Sequence, residues 1–338
     1  MLKKRKIIIG VHGLGNKPPK SVLEKWWREA TLEGLESSRR QANLIQFELL
    51  YWADILHLQP LDPNIRDKSD EFYIDHPYLP ADGTAGKAPG KIRIKFRDYL
   101  EKLMEEVFLK DDLTINFSKI TDKLIHRYFR DLEAYYKASY KGSGDQELSA
   151  RDRIRNRLAE LLKKHRKKEI LLIAHSMGSI VAYDVLTQVT PEIKIDTLVT
   201  MGSPLGLPIV ISRIAAEQSG TRDISDKLNV PENIINNWFN LSDLDDRIAI
   251  NYNLRDDYKA SSNNILPEDF IVYNNYRYKD EKNPHSSYGY LRTPEMVKII
   301  SDFMDRKQPS YLACAIRKVK NIILALYNKF NQRNRIEP

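Results

Sequence analysis

The chain has 338 residues, 42% of them hydrophobic and 30% charged, with a formal net charge of +8. That balance supports a packed core and excludes a largely disordered chain, and no apolar run reaches the roughly 20 residues of a membrane-spanning helix. One cysteine, Cys314, excludes an internal disulfide and any cysteine-cluster metal site; it suits a reducing compartment, so a cytoplasmic location is expected. Lysines and arginines are spread along the sequence without zinc-finger spacing or an RNA-binding signature, so a nucleic-acid partner is not expected.

The N-terminal MLKKRKIIIGVHG resembles the charged start of a signal peptide, but its apolar stretch stops after about five residues. Residues 6–11 therefore read as a strand that enters the fold directly. A helix is predicted over 20–35, where Leu23, Trp26, Trp27 and Ala30 recur at helical spacing, and a second strand over 43–52. Residues 56–90 are rich in Pro, Asp and Gly and read as loop; 92–140 return to helical spacing. The whole of 56–149 is expected to be a helical cap or lid inserted into a core made of 1–55 and 150–307.

Alternation then resumes. A charged amphipathic helix is predicted over 148–168, with Ile154, Leu158, Leu161 and Leu162 on one face. The strand over 169–174 (EILLIA) is apolar enough to be buried on both faces. A helix over 176–189, a strand over 195–201, a helix over 207–218 and strands over 234–241 and 270–276 follow. Pro294 opens a helix through 303. Strands alternating with helices predict an α/β fold with a parallel sheet covered on both faces. The tail, 308–338, carries a separate amphipathic helix with Leu312, Ile316, Val319, Ile323, Leu326 and Phe330 in one stripe. Such a basic helix can lie on an anionic membrane, here as peripheral contact with the inner face, or pack on the main domain or another subunit. The oligomeric state is open.

The strongest chemical signal is Ala174-His175-Ser176-Met177-Gly178, set between the most apolar strand and a helix. That is the context of the G-x-S-x-G turn, in which a serine is lifted clear of the sheet and small residues on either side let the turn close. A serine that merely caps the helix is the plain alternative. Val11-His12-Gly13-Leu14-Gly15-Asn16 ends another strand with a sharp Gly-flanked turn. The N–H groups of Leu14 and Met177 are candidates for an oxyanion hole. A phosphate-cradling loop is disfavoured, since G-x-G-x-x-G and GK[ST] are both absent.

A serine nucleophile needs a base. Of seven histidines (His12, His57, His76, His126, His165, His175 and His285) only His285 follows Ser176, as the chain order of this topology demands. For the acid, Asp243, Asp245 and Asp246 all follow the strand that ends at Leu241. Asp246 leads because the apolar Ile248 and Ala249 behind it imply a loop turning back onto the domain; Asp243 is second and Asp245 third.

With these motifs in order, the chain resembles the α/β-hydrolase superfamily, in particular its bacterial lipase-like and serine-esterase-like branches. VHGLGN resembles their oxyanion loop, AHSMG their nucleophile elbow, WFNLSDLDDRIA their acid-bearing strand and loop, and HSSYGYL their histidine loop; TMGSPLG is likewise typical. The resemblance covers roughly 5–55 and 150–305. It implies an α/β-hydrolase fold with a trimmed, mainly parallel sheet of about six strands and helices on both faces. It further implies a catalytic triad of Ser176, Asp246 and His285, with Asp246 placed by its position before Arg247-Ile248 where relatives carry Pro-Val. No cofactor or metal is implied. The expected activity is hydrolysis of a carboxylic ester, of a lipid or another small acyl substrate, through an acyl-serine. An acyltransferase or thioesterase using the same triad, and a non-catalytic binding protein on the same scaffold, are the alternatives.

Overall fold

The apolar run behind the N-terminal basic residues forms β1 (Lys6–Val11), and α1 (Lys20–Ser37) follows it. This computed structural model describes residues 5–37, 46–81, 135–136, 148–219, 227–249, 251–279 and 281–306. Next along the chain come β2 (Phe47–Leu50), the single turn α2 (Ala53–Leu56), α3 (Ala150–His165), β3 (Glu169–His175) and α4 (Met177–Asp184). They are followed by β4 (Ile195–Met201), α5 (Pro208–Ser219), the short β5 (Leu228–Asn229), β6 (Ile234–Asp243) and the short β7 (Tyr258–Lys259). Strand β8 (Pro267–Val272), a small hairpin of β9 (Arg277–Tyr278) and β10 (Glu281–Lys282), α6 (Ser287–Leu291) and α7 (Pro294–Asp305) complete the series.

Six strands make one sheet in the order β2-β1-β3-β4-β6-β8, and every neighbouring pair is parallel. Side chains on a strand alternate between faces, so β1 and β3 supply two cores at once. Ile7, Ile9, Val11, Ile170, Leu172 and Ala174 pack with Leu158 and Leu162 of α3 and Ile180 of α4. Ile8, Leu171 and Ile173 face the other way, onto Trp27 of α1, Tyr290 of α6 and Ile300 of α7. Six of the seven β3 residues are buried. Each large aliphatic side chain so buried is worth roughly 1.5–3 kcal/mol relative to exposure, which fixes β3 as the centre of the fold.

Boundaries differ from the sequence expectation where local chemistry intervenes. Helix α3 starts at Ala150 because the Ser149 hydroxyl accepts the Asp152 N–H and caps it. The helix expected over 176–189 ends its α-helical part at Asp184 and continues as a wider π turn, Val185–Val189. The last strand lies at Pro267–Val272 rather than 270–276. Proline is tolerated at the first position of an edge strand, where no ladder N–H is needed. Beyond Val272 the Asn274 N–H donates to Asp243 Oδ2 at 2.6 Å instead, so the chain leaves the sheet. Lys6 closes the far end of the domain, its ammonium donating to the carbonyls of Met304 (3.1 Å) and Arg306 (2.7 Å) at the C-terminus of α7.

Of the insertion, residues 57–81 carry neither helix nor strand. They are built on turns in which Asp62, Asp67 and Asp70 each accept the N–H two residues on. Tyr135 and Tyr136 dock at the C-terminal end of α4, Tyr135 donating to the buried Asp184 at 3.0 Å. The rest of the expected helical stretch 92–140 and the tail helix in 308–338 lie outside the described residues. Among the described residues no helix is long and apolar enough to cross a membrane.

The strand order turns about between β1 and β3, and in open parallel sheets the crevice at such a point, at the carboxyl ends of the strands, is where ligands bind.

Candidate active site

Ser176 sits at the end of β3 with φ 54° and ψ −130°, a conformation that costs a non-glycine residue about 1–3 kcal/mol. The turn is held by the Ser176 N–H, which donates to Met201 O on β4 at 3.0 Å. It closes because Gly178 has no Cβ: one there would stand 2.6 Å from the Val11 carbonyl oxygen. As N-cap of α4, Ser176 makes no side-chain capping bond. Its Oγ lies instead 3.0 Å from His285 Nε2, which decides against the helix-capping alternative.

His285 Nδ1 lies 3.0 and 2.9 Å from the two carboxylate oxygens of Asp246. The main chain around His285 is held by Asn274, whose amide donates to the carbonyls of Pro284 (2.9 Å) and Ser286 (2.7 Å). Asp246 is 1% exposed. Burial by itself would raise its pKa, but the adjacent His285 imidazole and hydrogen bonds from Ile248 N–H (2.8 Å) and Tyr290 O–H (2.8 Å) hold it below the ordinary carboxylate value.

The other two aspartates do different work. Asp243 accepts the N–H groups of Asp245 (2.7 Å) and Asn274 (2.6 Å), and burial raises its pKa. Asp245 pairs with Lys282 at 2.8 Å. Tyr290 links the two residues: its hydroxyl accepts the Asp243 main-chain N–H (2.9 Å) while donating to the Asp246 carboxylate. Gly202, after β4, has φ +56°, and a Cβ there would lie 2.9 Å from Asp246 Oδ2 and 3.2 Å from His285 Nδ1.

Three further features carry no chemical assignment from the sequence. His12 is buried and stacks on Trp52 with ring centroids 4.7 Å apart. Its Nε2 accepts the Trp52 N–H (3.0 Å), so Nδ1 carries the proton and donates to Gly13 O (2.8 Å). Burial is the main cause that takes its pKa down to about 3, with Lys17 adding to it. His175 is buried beside His285 and donates to that residue's carbonyl. Both histidines stand inside the two motifs already singled out, and that proximity is the only signal they leave in the sequence. Finally, Leu61, Ile74 and His76 bring residues 57–81 over Ser176, where the loop after β1, Trp26 and Trp27 of α1 and Tyr288 complete a cavity of about 370 Å³.

A six-stranded parallel sheet, helices on both faces and a serine on a strained strand-to-helix turn together define an α/β-hydrolase fold and support the superfamily of that name. Residues 128–222 match the PGAP1-like alpha/beta domain, a family of hydrolase type. The match takes in β3, Ser176 and β4 but not Asp246 or His285. A search of curated proteins found no significant match.

Proposed function

We propose that the chain is a serine hydrolase that cleaves a carboxylic ester through an acyl-serine intermediate. The observation that carries this reading is the unbroken series of hydrogen bonds from Ser176 Oγ through His285 to the buried, ionised Asp246. His285 Nε2 takes the proton of Ser176 as Oγ attacks the ester carbonyl carbon. Asp246 keeps the proton of His285 on Nδ1 and stabilises the imidazolium. The tetrahedral intermediate collapses as the imidazolium gives its proton to the leaving alkoxide, and the alcohol departs. Water, deprotonated by His285, then attacks the acyl-serine, and Ser176 recovers its proton as the acid is released.

The N–H groups of Leu14 and Met177 are assigned to the oxyanion. The Met177 N–H opens α4, where the helix dipole favours negative charge. For Leu14 the support comes from His12. The Gly13 carbonyl that His12 holds belongs to the same peptide unit as the Leu14 N–H. A hydrogen bond to that oxygen fixes the peptide plane and polarises the N–H on its other side. Lys17 Nζ binds the next carbonyl, that of Leu14, and steadies the loop further.

Leu14, Leu23, Trp26, Trp27, Ile248 and Tyr288 give the cavity an apolar wall suited to the acyl part of a lipid or other ester. The test is labelling with a fluorophosphonate probe. Modification of Ser176, and its absence in Ser176→Ala, is the expected result; folded wild-type protein that stays unlabelled overturns the reading and favours a binding scaffold.

A further inference from the structure

A second histidine lies against the base. His175 precedes Ser176 at the end of β3 and is 8% exposed. Its ring centroid is 4.8 Å from that of His285, at an interplanar angle of 41°. Its Nε2 is 2.8 Å from the main-chain oxygen of His285. A carbonyl oxygen only accepts, so Nε2 carries the proton and Nδ1 is bare. The bare nitrogen faces the loop after β1, since a Cβ on Gly13 would stand 3.2 Å from it. Trp27 closes a third side, edge-on at 6.5 Å, and Tyr290 lies 6.2 Å away on a fourth.

This ring therefore touches three of the segments that build the site: the oxyanion loop, the nucleophile turn and the base loop. The hydrogen bond matters most for the base. His285 sits on a loop between β10 and α6, 109 residues beyond Ser176, and Asp246 holds its side chain from behind. The bond from His175 ties the main chain of that loop to the residue next to the nucleophile. It thereby limits how far His285 Nε2 can drift from Ser176 Oγ.

Charge completes the argument. Burial, with the nearby His285 as a second cause, lowers the His175 pKa well below the ordinary histidine value. A neutral neighbour suits a base that must itself become an imidazolium, because a second positive charge at this distance would oppose proton transfer from Ser176.

We propose that His175 is a positioning residue for the proposed reaction: as a neutral Nε2–H donor to the His285 carbonyl, it sets the reach of the base to Ser176. This rests on the esterase reading above. The test compares full-length wild type, His175→Phe and His175→Gln for hydrolysis of p-nitrophenyl butyrate and for fluorophosphonate labelling of Ser176. Loss of the donor in His175→Phe is expected to lower kcat and the labelling rate about 10–100-fold, with KM changed by less than about twofold. His175→Gln, whose amide N–H can reach the same carbonyl, should recover most of that rate. A Phe variant as fast as wild type, or a Gln variant as slow as Phe, overturns the proposal.

A measurement on unaltered protein guards against variants that fail to fold. Imidazole 15N spectra should show His175 as a neutral Nε2–H tautomer between about pH 5 and 8. A Nδ1–H tautomer, or protonation in that range, overturns the proposal equally. Wild-type Ser176 that does not label overturns the esterase reading and this inference together. A labelled wild type with an indifferent Phe variant overturns the inference alone.

Discussion

Around Ser176 the geometry is set by the backbone, whereas around Asp246 and His285 it is set by side chains that reach into loops. The Ser176 turn is pinned between β1, β3 and β4 by its strained φ, the missing Cβ of Gly178 and the Ser176–Met201 hydrogen bond. Asp246 and His285 stand on segments beyond β6 and β8. There Asp243 holds Asn274, Asn274 holds the carbonyls on both sides of His285, and Tyr290 ties Asp243 to Asp246. The difference has a consequence for substitution. The first region tolerates a change of polarity and resists a change of volume; the second tolerates small changes of shape and fails when a charge or a donor is lost.

The largest effect belongs to the atom where the two regions meet. Ser176→Ala keeps the backbone strain and the volume, so folding should be preserved while kcat/KM for an ester falls by about 10⁵–10⁶-fold. Residual hydrolysis near the wild-type rate would remove Ser176 from the chemistry. On the other side, Asp246→Asn should lower kcat by about 10⁴-fold, because an amide can present its N–H to His285 and stabilise the wrong tautomer. Asp243→Asn removes charge from a carboxylate that accepts the Asp245 and Asn274 N–H groups, and about tenfold or less is expected, since that displaces the His285 loop without changing the imidazole tautomer. The ratio of the two variants sharpens the comparison, and an inverted ratio breaks it.

The same contrast governs how much the sequence reveals. Backbone-set features leave local marks. EILLIA announces a doubly buried strand, and small residues around Ser176 announce a tight turn, so the sheet and the nucleophile turn are legible in the residues themselves. Features set by side chains across loops leave none. Asp243 ends β6 and Asp246 follows three residues on, both buried, and contacts assembled in three dimensions with His285, Ile248 N–H, Ala249 N–H and Tyr290 O–H set Asp246 apart. Residues 57–81 carry no periodicity because Asx turns and distant ties shape them. Glu33 of α1, for example, binds Tyr78, the Ala81 N–H and Arg292. The edge strand is expected too far along the chain because Tyr273 and Tyr276 prolong its strand-like pattern, whereas Asp243 takes their backbone out of the sheet.

Gly202 tests the border between the regions. Ala there must adopt φ +56° and place its Cβ against Asp246 and His285. The strain should cost about 1–3 kcal/mol of stability. The displaced acid and base should lower kcat by about 100-fold, readable with the same ester substrate. A Gly202→Ala variant that loses stability but keeps kcat would show that the acid–base loop adapts to volume, as its side-chain construction allows.

Acidification separates the two regions without any substitution. His12 has its pKa lowered to about 3 from an ordinary 6.5 by burial, and His175 is shifted in the same direction. Above pH 6.5 neither is protonated in the folded or the unfolded chain, so neither makes stability depend on pH. Below that value the unfolded chain takes up protons that the folded one refuses. Stability should therefore fall by roughly 1 kcal/mol per pH unit for each histidine, down to the folded pKa. Asp246 acts in the same direction but in a lower window: its lowered pKa contributes stability that is fully present above the unfolded carboxylate value and is lost as pH falls through the folded one. Urea unfolding between about pH 7 and 4.5 should thus report His12 and His175, together with His76, whose pKa desolvation also lowers, and not Asp246. His12→Gln should remove part of the slope. A slope unchanged in that variant would mean that His12 is protonated at its post, and the polarised Leu14 N–H would lose its support.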